Sequence, residues 1–291
     1  MKLAMIRYQD QVTPAVLSKD DSSFHTFSEL GLKQQSLTEL VQSHPAEDML
    51  KLSAAAELPG TPIDGAVFLA PFKKLRQDMI CLGINYMEHA EESARFHKED
   101  WDGKREEAVY FSKRIHETTD PDAPIDPHED LTSSLDYEAE LAVVIGKDVK
   151  NIKAEDAFDC IFGYTIINDV SARNVQNAHK QWYFGKSLDT FTPMGPVLVT
   201  ADEFSFPPAL DICSRVNGEL RQHSNTAKQI FKIDYVIEEL SAGMTLECGT
   251  VIATGTPSGV GMGFVPPKYM KRGDVVECEI EGIGVLRNPV G

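Results

Sequence analysis

The segment Leu135-Asp136-Tyr137-Glu138-Ala139-Glu140-Leu141-Ala142-Val143-Val144-Ile145-Gly146 constrains this chain more than any other. Its run from Ala139 to Ile145 reads as a β-strand, and alternate side chains of a strand share a face, so Glu138 and Glu140 point the same way. Two carboxylates at ~4 Å repel by about 4 kcal/mol for an effective dielectric near 20. Either the pair lies on a solvated acidic edge, or something positive sits between its members. A divalent cation is the natural partner, and an oxygen-only donor set favours Mg²⁺, Mn²⁺ or Ca²⁺ over zinc.

A second acidic site stands downstream. Phe162 to Ile167 is a largely apolar strand that ends in Asn168-Asp169 and is followed by Val170-Ser171-Ala172-Arg173-Asn174. Strand ends on a rigid scaffold gather binding residues, which makes Asp169 the third candidate ligand. Arg173 has the fork geometry that grips a carboxylate, on a substrate or in a structural salt bridge.

Helix-like Asn85-Tyr86-Met87-Glu88-His89-Ala90-Glu91-Glu92 follows the strand Met79 to Leu82. On a helix His89 and Glu92 are three apart, so the carboxylate can orient the imidazole and raise its basicity, the design of a general base. A plain polar helix face has the same residues. The stretch His97 to Glu107 carries eight Asp, Glu, Lys or Arg among eleven residues and is expected to act as a mobile lid. Lys186, in a turn-rich stretch after Trp182-Tyr183-Phe184, is a candidate for stabilising developing negative charge, or a cap for adjacent acids.

The glycine-rich stretch from Thr254 to Gly263 fails as a phosphate loop. It lacks a Gly-Lys-Ser/Thr ending, and the third glycine of a dinucleotide fingerprint would fall on Phe264 or Pro266. It reads as a turn lining a small-molecule site, with Thr254 and Thr256 presenting hydroxyls and amides to a carboxylate, or as a structural loop.

The rest of the chain bounds the setting. Its 291 residues hold 28 Lys plus Arg against 45 Asp plus Glu, a net charge of −17 without a basic cluster, which argues against nucleic acid. No apolar run approaches the ~18 residues of a membrane span. The run Leu3 to Ile6 before Arg7 is short for a signal peptide. Five dispersed cysteines without a Cys-x-x-Cys pair fit a reduced, cytoplasmic location. Residues 1–75 read as a small N-terminal α+β domain, with strands over Lys2 to Tyr8 and Thr13 to Leu17 and helices over Ser36 to Ser43 and Ala46 to Ala56. Residues 76–291 read as a β-rich unit with few helices, one after Asn85, one near Ala154 to Asp159 and one over Ile233 to Ser241. The fold class is α+β, a mixed β-sandwich or roll rather than a doubly wound sheet.

Five ordered motifs resemble the fumarylacetoacetate hydrolase family over residues 79–291: Gly83-Ile84-Asn85-Tyr86 with His89; Asp136 to Leu141; Asn168 to Arg173; Gly185-Lys186-Ser187-Leu188-Asp189-Thr190; and Ala253 to Gly261. The resemblance implies the family's C-terminal β-roll, homodimers, and a Mg²⁺ or Mn²⁺ ion, with Ca²⁺ as a substitute, on Glu138, Glu140 and Asp169. It implies His89 and Glu92 as a lid-borne catalytic pair, Lys186 as an oxyanion partner, and Arg173, Gln176 and Thr256 as substrate contacts. Ile84-Asn85-Tyr86 departs from the Asp-Phe-Tyr of the eponymous enzymes and resembles the smaller members. The implied function is a divalent-metal hydrolase of acylpyruvates or decarboxylase of oxaloacetate, acting on 2-oxo acids through a metal-bound enolate. The alternatives are an isomerase or decarboxylase of 2-hydroxyhepta-2,4-diene-1,7-dioate type dioic acids, and a non-catalytic metabolite-binding or scaffold protein.

Overall fold

The computed structural model describes residues 1–98, 103–104 and 106–291. Its first strands are β1 (Lys2–Tyr8), β2 (Gln11–Leu17), β3 (Ser23–Thr26), β4 (Thr61–Pro62), β5 (Val67–Leu69), β6 (Met79–Gly83) and β7 (Val109–Lys113). The central ones are β8 (Leu135–Asp136), β9 (Ala139–Ile145), β10 (Ile161–Asn168), β11 (Ser171–Ala172) and β12 (Met194–Thr200). The last are β13 (Asp211–Val216), β14 (Glu219–Asn225), β15 (Val251–Ala253), β16 (Val275–Ile280) and β17 (Gly284–Pro289). The helices are α1 (Leu37–Ser43), α2 (Ala46–Ala56), α3 (Met87–His97), α4 (Arg173–Ala178), α5 (Tyr183–Lys186) and α6 (Ile233–Gly243).

Among the described residues, eleven strands form one mixed sheet in the order β4-β3-β2-β1-β12-β10-β9-β15-β6-β7, with β5 joined to β1. A second sheet, β14-β13-β16-β17, packs on it. Apart from Glu140, β9 is apolar, as a strand buried on both faces requires. Leu141, Val143 and Ile145 point into the core shared with Ile212, Ile280 and Leu286 of the second sheet. Ala142 and Val144 point the other way, into the core shared with Leu37 and Leu40 of α1 and Leu52 of α2. The two-residue period thus sorts one strand between two cores.

The strands expected over Lys2 to Tyr8 and Thr13 to Leu17 form, and β1 pairs with β12 as well as β2, so the N-terminal strands continue the main sheet. The helix expected near Ala154 to Asp159 is two short 3₁₀ turns, Ala154–Asp156 and Phe158–Cys160. α5, four residues long, lies in the stretch read as turn-rich, and α4, six residues long, where no helix was expected. Such pieces are too short to show a helical period and are held by packing. No helix among the described residues is long and apolar enough to cross a membrane. All five cysteines are free thiols.

Gly163 marks the tightest approach of β10 to β12: a Cβ there would lie 2.2 Å from Val199 O, whereas one at Gly243, ending α6, meets nothing within 4 Å. Gly163→Ala is therefore expected to lower stability by about 1–3 kcal/mol, and Gly243→Ala to raise it by about 0.4–1 kcal/mol. Urea unfolding midpoints check both signs.

Candidate metal centre and active site

The antiparallel pairing of β9 with β10 builds the acidic site. Ile167 opposes Glu140 and Asn168 opposes Ala139. One step further Asp169 N donates to Glu138 O at 2.9 Å, and Asn168 Oδ1 accepts from Glu138 N at 3.0 Å. Glu138, Glu140 and Asp169 each bring a carboxylate oxygen within 4.8 Å of the others. Their exposures of 5%, 1% and 0% exclude the solvated acidic edge.

Buried cations answer part of this charge. Lys186 Nζ stands 2.8 Å from Glu138 Oε2 and 2.6 Å from Asp169 Oδ2. Lys113 Nζ, fully buried, donates to Asp169 Oδ1 at 2.5 Å and Phe191 O at 2.6 Å. Arg173 Nη2 lies 2.6 Å from Glu138 Oε1. Burial pushes the Glu138 carboxyl up, but Lys186 and Arg173 outweigh it and hold the group well below the usual carboxylate range. Glu140 goes the other way: burial, then Asp169 and Glu138, push it well above that range, against Lys186 and the Gly255 N–H donated at 2.7 Å. Burial lowers Lys186, yet Asp169 and Glu138 raise it overall.

With all four ionised, Asp136, Glu138, Glu140 and Asp169 outnumber the three cations by one charge, and Glu140, which burial and its acidic neighbours push toward the neutral form, is the undercompensated member. Three convergent, buried, oxygen-only donors with an undercompensated member fit a hard divalent ion. In this arrangement the Lys186 ammonium sits between two of the acidic groups, as a counter-charge to them, and also borders the cleft.

The face of α3 that turns inward carries His89, Ala90, Glu92, Ser93 and Ala94. His89 Nδ1 donates to Glu92 Oε2 at 3.0 Å, and Glu92 Oε1 accepts from Gly259 N at 2.9 Å. Since a carboxylate accepts at Nδ1, neutral His89 carries its lone pair on Nε2. Both side chains are buried, which excludes the plain polar helix face. The lid expected over His97 to Glu107 falls partly on residues 99–102 and 105, which lie outside the described residues. His89, Glu138, Glu140, Arg173, Gln176 and Lys186 border one cleft of about 50 Å³.

Arg173 is gripped from behind, its Nε donating to Asp136 Oδ2 at 2.8 Å and its Nη1 to Gln176 Oε1 at 3.1 Å. Thr256 also borders the cleft, but its hydroxyl donates to Ala139 O at 2.9 Å and accepts from Gln222 Nε2 at 2.7 Å. Thr254 repeats the pattern, donating to Leu141 O at 2.8 Å and accepting from Gln229 Nε2 at 2.7 Å. Both hydroxyl protons are committed to β9, so in this structure the two hydroxyls brace the loop. Sequence reasoning missed Lys113, the last residue of β7. It also gave no role to Asp136, two residues before Glu138.

A buried acidic triad that could hold a divalent ion thus lies at the end of a mixed sheet, near a histidine–glutamate pair. Residues 78–291 match the fumarylacetoacetate (FAA) hydrolase C-terminal family, and the chain belongs to that family of enzymes. It is 49% identical over 222 residues to oxaloacetate tautomerase YisK of Bacillus subtilis (strain 168), covering 76% of this chain and 72% of that protein. Fumarylacetoacetate hydrolase EaFAH from psychrophilic Exiguobacterium antarcticum superposes with a TM-score of 0.81 at 37% identity, over 100% of this chain and 99% of that one. The 2-hydroxyhepta-2,4-diene-1,7-dioate isomerase of Mycobacterium marinum does so at 0.70 and 32%, over 100% and 98%.

Calorimetry on chelator-treated protein should show Mg²⁺ or Mn²⁺ binding that Glu140→Gln abolishes while unfolding stays cooperative; equal binding by parent and variant would overturn the ligand assignment. Lys113→Met leaves Asp169 Oδ1 without its counter-charge and is expected to destabilise the fold by about 3–5 kcal/mol, read from urea unfolding.

Proposed function

We propose that this protein is a divalent-metal-dependent tautomerase of short 2-oxo dicarboxylic acids of the oxaloacetate kind. The observation that carries the reading is that His89, held by the buried Glu92, borders the same small cleft as Glu138 and Glu140, on which Asp169 converges. The curated relative named as an oxaloacetate tautomerase supports it. A cation held by Glu138, Glu140 and Asp169, here proposed as Mg²⁺ or Mn²⁺, supplies positive charge that polarises the 2-oxo acid.

The residues of this chain divide the remaining work. Arg173, fixed by Asp136, and Gln176 hold the substrate carboxylate. His89 Nε2 takes a proton from C3, the C–H electron pair moves into the C2–C3 bond as the C2=O π pair moves onto oxygen, and the imidazolium returns the proton to that oxygen. Glu92 keeps the ring in its reactive tautomer and compensates the imidazolium while it lasts. The same reading includes a homodimer and a cytoplasmic location, the latter supported by five free thiols.

The experiment follows the keto–enol interconversion of oxaloacetate by ultraviolet absorbance with Mg²⁺, alongside decarboxylation of oxaloacetate and hydrolysis of acetylpyruvate. His89→Ala is expected to slow tautomerisation about 10²- to 10⁴-fold, the usual contribution of a general base. A parent enzyme faster at hydrolysis or decarboxylation than at tautomerisation would overturn the reading and return those reactions to first place.

A further inference from the structure

The glycine stretch that fails as a phosphate loop has two carboxylates seated on it from opposite sides. From α3, Glu92 Oε1 accepts Gly259 N at 2.9 Å. From β8, Asp136 accepts four donors: Tyr137 N at 2.9 Å and Gly261 N at 2.6 Å on Oδ1, Met262 N at 3.0 Å and Arg173 Nε at 2.8 Å on Oδ2. Asp136 has no exposed surface and its acceptor sites are used. Bare backbone is needed at each seat. A Cβ at Gly261 would stand 2.6 Å from Asp136 Oδ1, and one at Gly263 would stand 1.9 Å from Glu92 Oε1.

We propose that Asp136 is a positioning residue that links the docking of α3 to the setting of Arg173, with residues 259–263 as the connecting piece. When Glu92 seats on Gly259, the loop lies where Gly261 and Met262 amides hold both Asp136 oxygens. Asp136 then holds Arg173 Nε, which turns Nη2 toward Glu138 and Nη1 toward Gln176. If α3 lifts, the loop loses one of its two anchors, Asp136 loses orientation, and Arg173 is released from its setting. The acid–base pair and the substrate-holding arginine are thereby brought into register together, although they lie on different helices. Neutralising the Arg173 charge alone would need only one carboxylate contact; the two loop amides are what the link adds.

The catalytic consequence rests on the roles proposed above for His89 and Arg173, but the test reads no turnover and so fails or succeeds apart from them. In metal-free, ligand-free protein, nuclear magnetic resonance follows the amides of Gly259, Gly261 and Met262 and the Nε–H of Arg173. Glu92→Ala should shift all four signals, and in an Asp136→Asn background the Arg173 signal should no longer respond to Glu92→Ala. Asp136→Asn should also speed hydrogen exchange across α3 about three- to tenfold, the cost of a weakened hydrogen bond, with α1 and α2 unchanged. Gly261→Ala, which crowds the Asp136 seat without removing a charge, should uncouple the signals in the same way and serves if Asp136→Asn does not fold. An Arg173 Nε–H signal indifferent to Glu92→Ala, or equally responsive in the Asp136→Asn and Gly261→Ala backgrounds, would overturn the link and leave Asp136 as a local counter-charge.

Discussion

The antiparallel pairing of β9 with β10 brings Asp169 beside Glu138 and leaves Glu140 two residues along the same strand face. A one-residue slip would turn both glutamates away from Asp169 and drive Leu141, Val143 and Ile145 out of their core. The hydrophobic pattern of the strand therefore enforces the acidic site: the apolar residues that hold the register also compel three carboxylates to share one buried end.

That end is stable only as a network. Lys113, Lys186 and Arg173 each contact a member of the triad, and each is itself buried, so loss of any one leaves a charge without water or partner. With every group ionised the acids exceed the cations by one charge, and the undercompensated member, Glu140, lies where the three oxygen donors converge. A fold that concentrates unbalanced charge in a small closed cleft is shaped to receive a cation and an anionic ligand together.

The backbone closes the site as much as the side chains do. Gln222 and Gln229 fix Thr256 and Thr254, which in turn hold the carbonyls of Ala139 and Leu141, so the loop after β15 is fastened to β9 at both threonines. Beyond them the glycine stretch gives amide seats to Glu92 and Asp136. Sequence reading left these threonines either facing a ligand or bracing a structural loop. What it lacked was the position of two glutamines, 34 and 25 residues upstream of the threonines they bond, whose amides accept no such reading until the chain is folded.

The periodicity of Ala139 to Ile145, the carboxylates around it, the i, i+3 spacing of His89 and Glu92 and the ordered motifs were all local properties, and local properties are legible in a sequence. They determined the β-rich class, the triad, the acid–base pair and the family. Lys113 is invisible at that level because what makes it matter is its zero exposure and its reach to Asp169, 56 residues away. Asp136 is likewise an ordinary aspartate until Gly261, Met262 and Arg173 converge on it. α4 and α5 are too short to carry a period of their own. Which charges are paired, which hydroxyls are already committed and which glycines must be bare depend on desolvation and on contacts between segments far apart in the chain, and these exist only once tertiary packing has removed the water between them.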